Sequence, residues 1–347
     1  MVTTNTCTST STTDIPASLN HHPDSLTISG PWRALELRLM YHYTTVVGET
    51  VPECMRDAIP KFSFEYEVIL NLMLAFSAIH LHDAHSPHDS AVAIALRRYL
   101  DRSLVHHRQA LTDNSGLSEQ LWISAVLLSH VHWLIAHQRQ PNEPYELPLQ
   151  PWRMLLAIGH LFEQEYPFLS QLGYGWFSEE NYPVIQQVEL PVPAQKQLQA
   201  IEEELESLLD AFGFSELPPD DQGIYLEVKD YVLHQYQAYY SGTSLKSLWR
   251  YVAFMAVTCD PRYHKMLEQH DPLAMALMVR VTVLLKYIES PWWISGRGDY
   301  EVVERDVHGV RELMPADSKW AMDWPCDVLD GKIPISRDEL FGAPSGQ

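Results

Sequence analysis

The residues best suited to chemistry in this sequence are histidines, and the densest group lies in one short segment. It comprises His80, His82, Asp83, His85 and His88. A metal site on a helix needs ligands three or four residues apart, and His82–His85 and His85–His88 have that spacing. Histidines at the C-terminal end of a helix are also favoured by the helix dipole without any metal. We therefore expect a solvated helix end here and no metal site.

The remaining histidines do not have a ligand spacing. His106 and His107 are adjacent, and neighbouring residues on a helix point about 100° apart, so they do not bind one ion from that helix alone. The sequence contains no GxSxG, GxGxxG, Walker, HExxH or CxxC motif. It therefore predicts no catalytic residue and no cofactor, and favours a protein that is not an enzyme.

The strongest candidate for binding is an apolar region late in the chain. The run from Pro272 to Ile288 is followed by Trp292 and Trp293, and then by Trp320 and Trp324. Such aromatics either fill a core or form the wall of an apolar pocket. In a pocket, methionines would form the part of the wall that adapts to the shape of the ligand. We place the pocket between the helices at 244–258 and 272–289 and the two tryptophan pairs. Its predicted ligand-binding residues are Phe254, Met255, Met278, Tyr287, Trp292 and Trp293.

Two cations interrupt the apolar run, Arg280 and Lys286. An unpaired buried charge costs several kcal/mol, so each needs a partner or a path to water. Either the side chains extend to the surface or Arg280 meets the polar head of a ligand. The run is also shorter than the roughly 20 apolar residues that span a bilayer. We therefore interpret it as a buried core helix and expect no membrane span.

Hydrophobic periodicity predicts helices and no strand. Apolar residues recur at steps of three and four from Trp32 onward. The predicted helices cover about 64–82, 90–113, 118–137, 151–165, 193–212, 223–240, 244–258, 262–289 with a break before Pro272, and 299–313. A Pro- and Gly-containing connection covers 167–192. We predict an all-α bundle of about ten helices in one domain, 31–335, between a disordered tail at 1–30 and a second tail at 336–347.

The composition indicates a folded, acidic protein that does not bind nucleic acid directly. The 347 residues are 46% hydrophobic and 11% aromatic, which is enough for a large core. With 24 Lys and Arg against 45 Asp and Glu the formal charge is −21, and this field repels phosphate backbones. The four cysteines lie far apart and are expected to be reduced thiols in a protein inside the cell.

Several stretches in order carry a family resemblance. They are LELRLMYHYTT (35–45), FEYEVILNLMLAFSAIHL (64–81), YLDRSLVHHRQAL (99–111), SEQLWISAVLLSHVHWLIA (118–136), DPLAMALMVRVTVLLKYIESPWWISGRG (271–298) and KWAMDWP (319–325). Over about residues 32–330 their order and spacing resemble the fungal-specific transcription factor domain, in the branch of sterol uptake control proteins. In that family a six-cysteine zinc cluster precedes the domain, and this sequence contains no such cluster. We therefore expect no direct nucleic-acid binding.

The resemblance implies a regulator of transcription in the nucleus, with the cytoplasm as an alternative location. It also implies an apolar sterol- or terpenoid-like ligand among the C-terminal helices, self-association as a homodimer, and action through a DNA-binding partner. An alternative function is an enzyme or carrier of a fungal secondary-metabolite pathway built on the same ligand-binding fold. A third is a gene product whose upstream zinc-cluster exon is missing.

Overall fold

The computed structural model describes residues 30–85, 90–112, 119–138, 143–174, 190–253, 255–297 and 301–337. Within these ranges every regular element is helical and no strand occurs, which confirms the predicted all-α fold. The predicted tails at 1–30 and 336–347 lie almost entirely outside the described residues and stay predictions. Taken singly, no described helix is long and apolar enough to cross a bilayer. The helical stretches Glu53–Ser63 and Glu67–His82 reach that apolar length only together, across a bend of 119°.

The helices fall into two groups along the chain. The first group is α1 (Gly30–Thr45), α2 (Glu53–Ser63), α3 (Glu67–His85), α4 (Ser90–Thr112), α5 (Glu119–Ala136), α6 (Leu149–Gln164) and α7 (Tyr166–Leu169). The second is α8 (Val192–Ala211), α9 (Pro219–Tyr240), α10 (Leu245–Ala253), α11 (Met255–Thr258), α12 (Pro261–Glu268), α13 (Pro272–Thr282), α14 (Trp292–Ser295), α15 (Val302–Leu313) and α16 (Asp323–Leu329). Short 3-10 turns cover Val47–Thr50, Phe214–Glu216, Val283–Lys286 and Lys319–Met322.

The long helices match the prediction, whereas several short ones do not. The sequence pattern does not predict α2, α7, α14 or α16, because each has a proline in or just before its first turn, which reads as a break. Proline is nonetheless tolerated there, since the first backbone N–H groups of a helix have no intrahelical partner. The predicted break before Pro272 is confirmed. Asp271 caps α13 by accepting a hydrogen bond from the Ala274 amide at 2.8 Å.

Helices α3, α5 and α13 form the interior. Residues 71–82 of α3, 122–131 of α5 and 273–281 of α13 are buried on every face. A helix that is apolar all round is stable in water only when other helices surround it. Accordingly α3 packs against α1, α2, α4 and α5, while α13 packs against α9, α12 and α15. The core therefore runs through the length of the described chain.

The charge in the last turn of α13 is neutralised inside the protein. Arg280 is 2% exposed and does not extend to the surface. Its Nε donates to Glu204 Oε2 of α8 at 2.9 Å, its Nη2 donates to Glu204 Oε1, and its Nη1 donates to the Ala276 carbonyl at 2.8 Å. The guanidinium also lies 5.7 Å from the Trp324 ring. The partner of Arg280 is therefore Glu204, and not the polar head of a ligand, which was the alternative from the sequence.

A second buried polar cluster fixes α15. The Asp306 carboxylate accepts hydrogen bonds from His137 Nε2 at 2.9 Å and from the Tyr145 hydroxyl at 2.7 Å. Burial and the neighbouring Asp306 charge raise the pKa of Tyr145 well above its usual value. The Tyr145 ring lies against Gly309, where a Cβ atom would stand 2.1 Å from Tyr145 Cγ. These contacts hold the middle of α15 in place, and the first turn of the same helix borders a polar cleft.

Replacement of Glu204 tests the buried ion pair. We expect Glu204→Gln to lower the free energy of unfolding by about 3–5 kcal/mol, because it leaves the Arg280 charge buried without its carboxylate. Urea unfolding followed by circular dichroism measures the loss. The control is Glu206→Gln, which breaks an exposed pair with Lys229 and should cost less than about 1 kcal/mol. Equal effects of the two substitutions would contradict the assignment.

Candidate functional site

An apolar cavity of about 30 Å³ lies between α5, α6 and the segment from α10 to α13. Two of the predicted binding residues, Met255 and Met278, line it from α11 and α13. Large apolar and aromatic side chains supply most of the other walls. These are Trp133, Trp152, Val252, Ala253, Tyr263, His264, Leu267, Thr282 and Leu285.

The polar groups around this cavity make hydrogen bonds within the protein. The Trp133 indole donates to the Ile294 carbonyl at 2.9 Å, and the Tyr263 hydroxyl donates to the Ala274 carbonyl at 2.8 Å. Thr282 donates to the Met278 carbonyl at 3.2 Å. The His264 ring stands edge-on to Trp152, with centroids 6.2 Å apart. Such walls suit an apolar ligand, since they offer it packing and little competition for hydrogen bonds.

A larger, polar cleft of about 360 Å³ lies beside the apolar cavity. Among its described lining residues the cations Lys286 and Arg297 stand with the acids Glu301 and Glu304, and Ser295 adds a hydroxyl. Lys286 donates to the Leu329 carbonyl, so its ammonium is fixed near the wall. The cleft is bordered by the turn after α13, by α14 and by the first turn of α15.

The tryptophans predicted to line the pocket contact a different part of the molecule. The Trp292 indole donates to Thr50 Oγ1 and the Trp293 indole donates to the Thr50 carbonyl, each at 3.0 Å. The Tyr287 hydroxyl donates to the Val328 carbonyl at 2.9 Å. The described lining of the apolar cavity includes none of these three, and Phe254 lies outside the described residues. Their role in ligand binding stays a prediction.

Trp293 lies between two aromatic rings. It is edge-on to His130 of α5 at 4.6 Å and to Trp249 of α10 at 4.9 Å. His130 Nδ1 lies 2.7 Å from the Val126 carbonyl, and so carries the proton that it donates there. Burial lowers the pKa of His130 to about 4, against a smaller opposing effect of that hydrogen bond. The neutral His130 ring therefore serves to pack α5 against Trp293 of α14.

In the structure, His80 of the histidine segment contacts α1 and Arg297. His80 Nδ1 lies 2.9 Å from His42 Nε2 of α1, and His80 Nε2 lies 3.0 Å from Arg297 Nη1. Because a guanidinium only donates, His80 Nε2 accepts, and its Nδ1 proton is donated to His42. His88 and the side chains of Asp83 and His85 lie outside the described residues. In the described part of the chain, no group of three or more His, Cys, Asp or Glu is arranged to hold a metal ion.

Sequence reasoning missed the walls of the cavity that α5, α6 and α12 provide. Trp133 lies in the apolar helix α5 and Trp152 in the amphipathic helix α6, while Tyr263 and His264 follow a proline in a mostly polar segment. No local pattern distinguishes a side chain that faces a cavity from one that fills a core. Only the packing of distant helices brings these residues to Met255 and Met278.

Comparison with known proteins gives three similar curated proteins. A "Zn(2)-C6 fungal-type transcription factor" of Gibberella zeae is 24% identical over 88% of this chain. "Sterol uptake control protein 2" is 28% identical over 40% of the chain in Candida albicans and 36% identical over 16% of it in Saccharomyces cerevisiae. This chain is a homologue of fungal zinc-cluster transcription factors.

The homology covers part of each relative. The chain spans 64% of the Gibberella zeae protein, 20% of the Candida albicans protein and 7% of the Saccharomyces cerevisiae protein. No protein-family model matches the chain, and no solved structure is significantly similar to it. The resemblance inferred from the sequence is confirmed by the zinc-cluster homologues.

The environment of His130 predicts a pH dependence of stability. Because its folded pKa of about 4 is below the usual value of 6.5, the unfolded chain binds the proton more readily between these values. This contribution to stability is complete above about pH 6.5 and falls by about 3 kcal/mol as the pH drops to 4. In His130→Phe, which keeps a ring beside Trp293, urea unfolding should lose that part of the pH dependence. Parallel stability curves for the two proteins would contradict the assignment.

Proposed function

We propose that this chain is a ligand-responsive regulatory domain of a fungal transcription regulator, and that the ligand is an apolar small molecule of sterol or terpenoid type. The observation that carries the proposal is the homology to a zinc-cluster transcription factor over 88% of the chain. The name of the other relatives, sterol uptake control protein, supports a sterol-like ligand. We place the protein in the nucleus, where regulators of transcription act.

The apolar cavity supports this ligand class. Its methionines are unbranched and rotate to fit irregular apolar shapes. At about 30 Å³ the cavity accepts water but not a sterol, since ligand pockets usually measure about 300–1,000 Å³. Binding therefore requires that Met255 and Met278 rotate and that the short helices α10, α11 and α12 move outward.

The charge of the chain supports a regulator that reaches promoters through a DNA-binding segment or partner. A formal charge of −21 opposes direct contact with phosphates. Contact with a basic DNA-binding module is, for the same reason, electrostatically favoured. A second copy of the chain is a further candidate partner, as the sequence resemblance implies.

Ligand binding is tested by thermal unfolding with ergosterol as the probe. Ergosterol should raise the melting temperature saturably, by mass action, and change the fluorescence of Trp133 and Trp152. Ala253→Leu fills the cavity and should abolish both effects, whereas Ala211→Leu, at the exposed end of α8, should leave them unchanged. The same response in both variants would place the ligand elsewhere, and no response in the unaltered protein would refute a sterol ligand.

Regulation is tested separately in yeast by fusing the chain to a DNA-binding domain of unrelated origin. Transcription of a reporter with matching sites should change when sterol supply is altered, because the ligand shifts the domain between conformations. The Ala253→Leu fusion should keep one level of transcription, and the Ala211→Leu fusion should respond normally. A reporter that never differs from the DNA-binding domain alone would contradict a regulatory role.

A further inference from the structure

Two histidines, one in α5 and one directly after it, make the same hydrogen bond to their own helix. His130 Nδ1 lies 2.7 Å from the Val126 carbonyl, and His137 Nδ1 lies 2.8 Å from the Trp133 carbonyl. A carbonyl oxygen only accepts hydrogen bonds, so each Nδ1 carries a proton. The two rings are seven residues apart, which places them on one side of the helix. The difference between them lies at the second ring nitrogen, Nε2.

The second nitrogen of His137 faces a carboxylate. His137 Nε2 lies 2.9 Å from Asp306 Oδ1, and the Tyr145 hydroxyl donates its proton to the same oxygen at 2.7 Å. If His137 were neutral, with its one proton on Nδ1, a lone pair of Nε2 would point at a carboxylate oxygen. The distance is that of a hydrogen bond, so a proton lies between the two atoms. This proton is additional to those of a neutral imidazole and an ionised carboxylate.

Burial makes the additional proton necessary. His137 is 0% exposed and Asp306 is 1% exposed, and a buried carboxylate is costly unless a cation neutralises it. Among the described residues, only His137 forms an ion pair with Asp306, and Asp306 Oδ2 makes no hydrogen bond there. The guanidinium of Arg305 lies instead over the Tyr145 ring, 5.5 Å from its centroid. The carbonyl of Trp133, at the negative end of the α5 dipole, further favours a cation at His137.

We propose that His137, Asp306 and Tyr145 form a proton-dependent clasp between α5, the segment before α6, and α15, in which His137 is an imidazolium that donates from both ring nitrogens. When the additional proton is released to solvent, the buried Asp306 charge faces a lone pair of His137. The clasp then opens and α15 loosens. This inference is independent of the proposed ligand.

The clasp and His130 respond to pH in opposite directions. His130 is neutral in the folded protein, so acid weakens its packing, whereas the clasp holds a proton and is weakened by a rise in pH. Trp133, whose carbonyl accepts from His137, also lines the apolar cavity. The clasp therefore connects the state of one proton to a wall of that cavity and to the position of α15.

Nuclear magnetic resonance of the full chain, labelled with ¹⁵N-histidine, tests the number of protons on His137. At about pH 7.5 a histidine in water is mostly neutral, because its usual pKa is about 6.5. His137 should nevertheless give two ring N–H signals, one from each nitrogen, whereas His130 should give one. The loss of signals in His137→Gln and in His130→Phe assigns them. A single ring N–H signal from His137 would overturn the proposal.

Asp306→Asn removes the charge and keeps the shape of the side chain. Its amide nitrogen donates to His137 Nε2 while its oxygen accepts from Tyr145, so His137 needs only the Nδ1 proton and should give one ring N–H signal. The matched control is Asp323→Asn, an exposed carboxylate paired with Arg311, which should leave both His137 signals in place. If both signals persist in Asp306→Asn, the carboxylate is not what holds the proton and the proposal is overturned.

Hydrogen exchange measures the opening of the clasp. Because a rise in pH accelerates the exchange of every amide, α15 is compared with α9 in the same sample. From neutral to alkaline pH, exchange in α15 should accelerate more than exchange in α9 in the unaltered protein. In Asp306→Asn, which has no ion pair to lose, the two helices should accelerate equally. Equal acceleration in the unaltered protein would show that the proton does not hold α15, and would overturn the clasp.

Discussion

The enclosure of helices that are apolar on all sides is the constraint on which the rest of the structure depends. Helices α3, α5 and α13 carry no polar face to expose, so the other helices must surround them. Where a charge does occur, at Arg280 in α13, the surrounding layer has to provide its counter-charge. Glu204 does so from α8, which fixes that helix against α13. Burying this pair is tolerated because the guanidinium makes bonds to both carboxylate oxygens and to a helix carbonyl.

The same constraint accounts for the cavity and the cleft. Helices α10, α11 and α12 are short, and each contributes side chains to the walls of the cavity opposite Met278. On the far side of α13 the chain turns through the 3-10 segment into α14, and charged residues gather where α15 begins. Leu285, in that 3-10 segment, lines both the apolar cavity and the polar cleft.

Helix α14 links these spaces to the N-terminal half. The Ile294 carbonyl accepts from Trp133, whose ring lines the apolar cavity. Trp292 and Trp293 both donate to Thr50, in the turn after α1, and Arg297 donates to His80. A change in the cavity is thus connected through packed rings and hydrogen bonds to α1 and α3. The cavity and the N-terminal half are therefore joined by a continuous set of contacts.

The amino-acid sequence by itself determined the fold class, the long helices and the family resemblance, because apolar residues at steps of three and four and ordered motifs are local signals. It also placed Met255 and Met278 in a common apolar region. It did not determine the partner of Arg280, the position of the tryptophans on Thr50, or the contribution of Trp133 and Tyr263 to the cavity. Those contacts join residues more than ten, and often more than a hundred, positions apart. They depend on the rotation of each helix about its axis and on the angles at which helices cross in the packed core. Only the tertiary structure decided these rotations and angles.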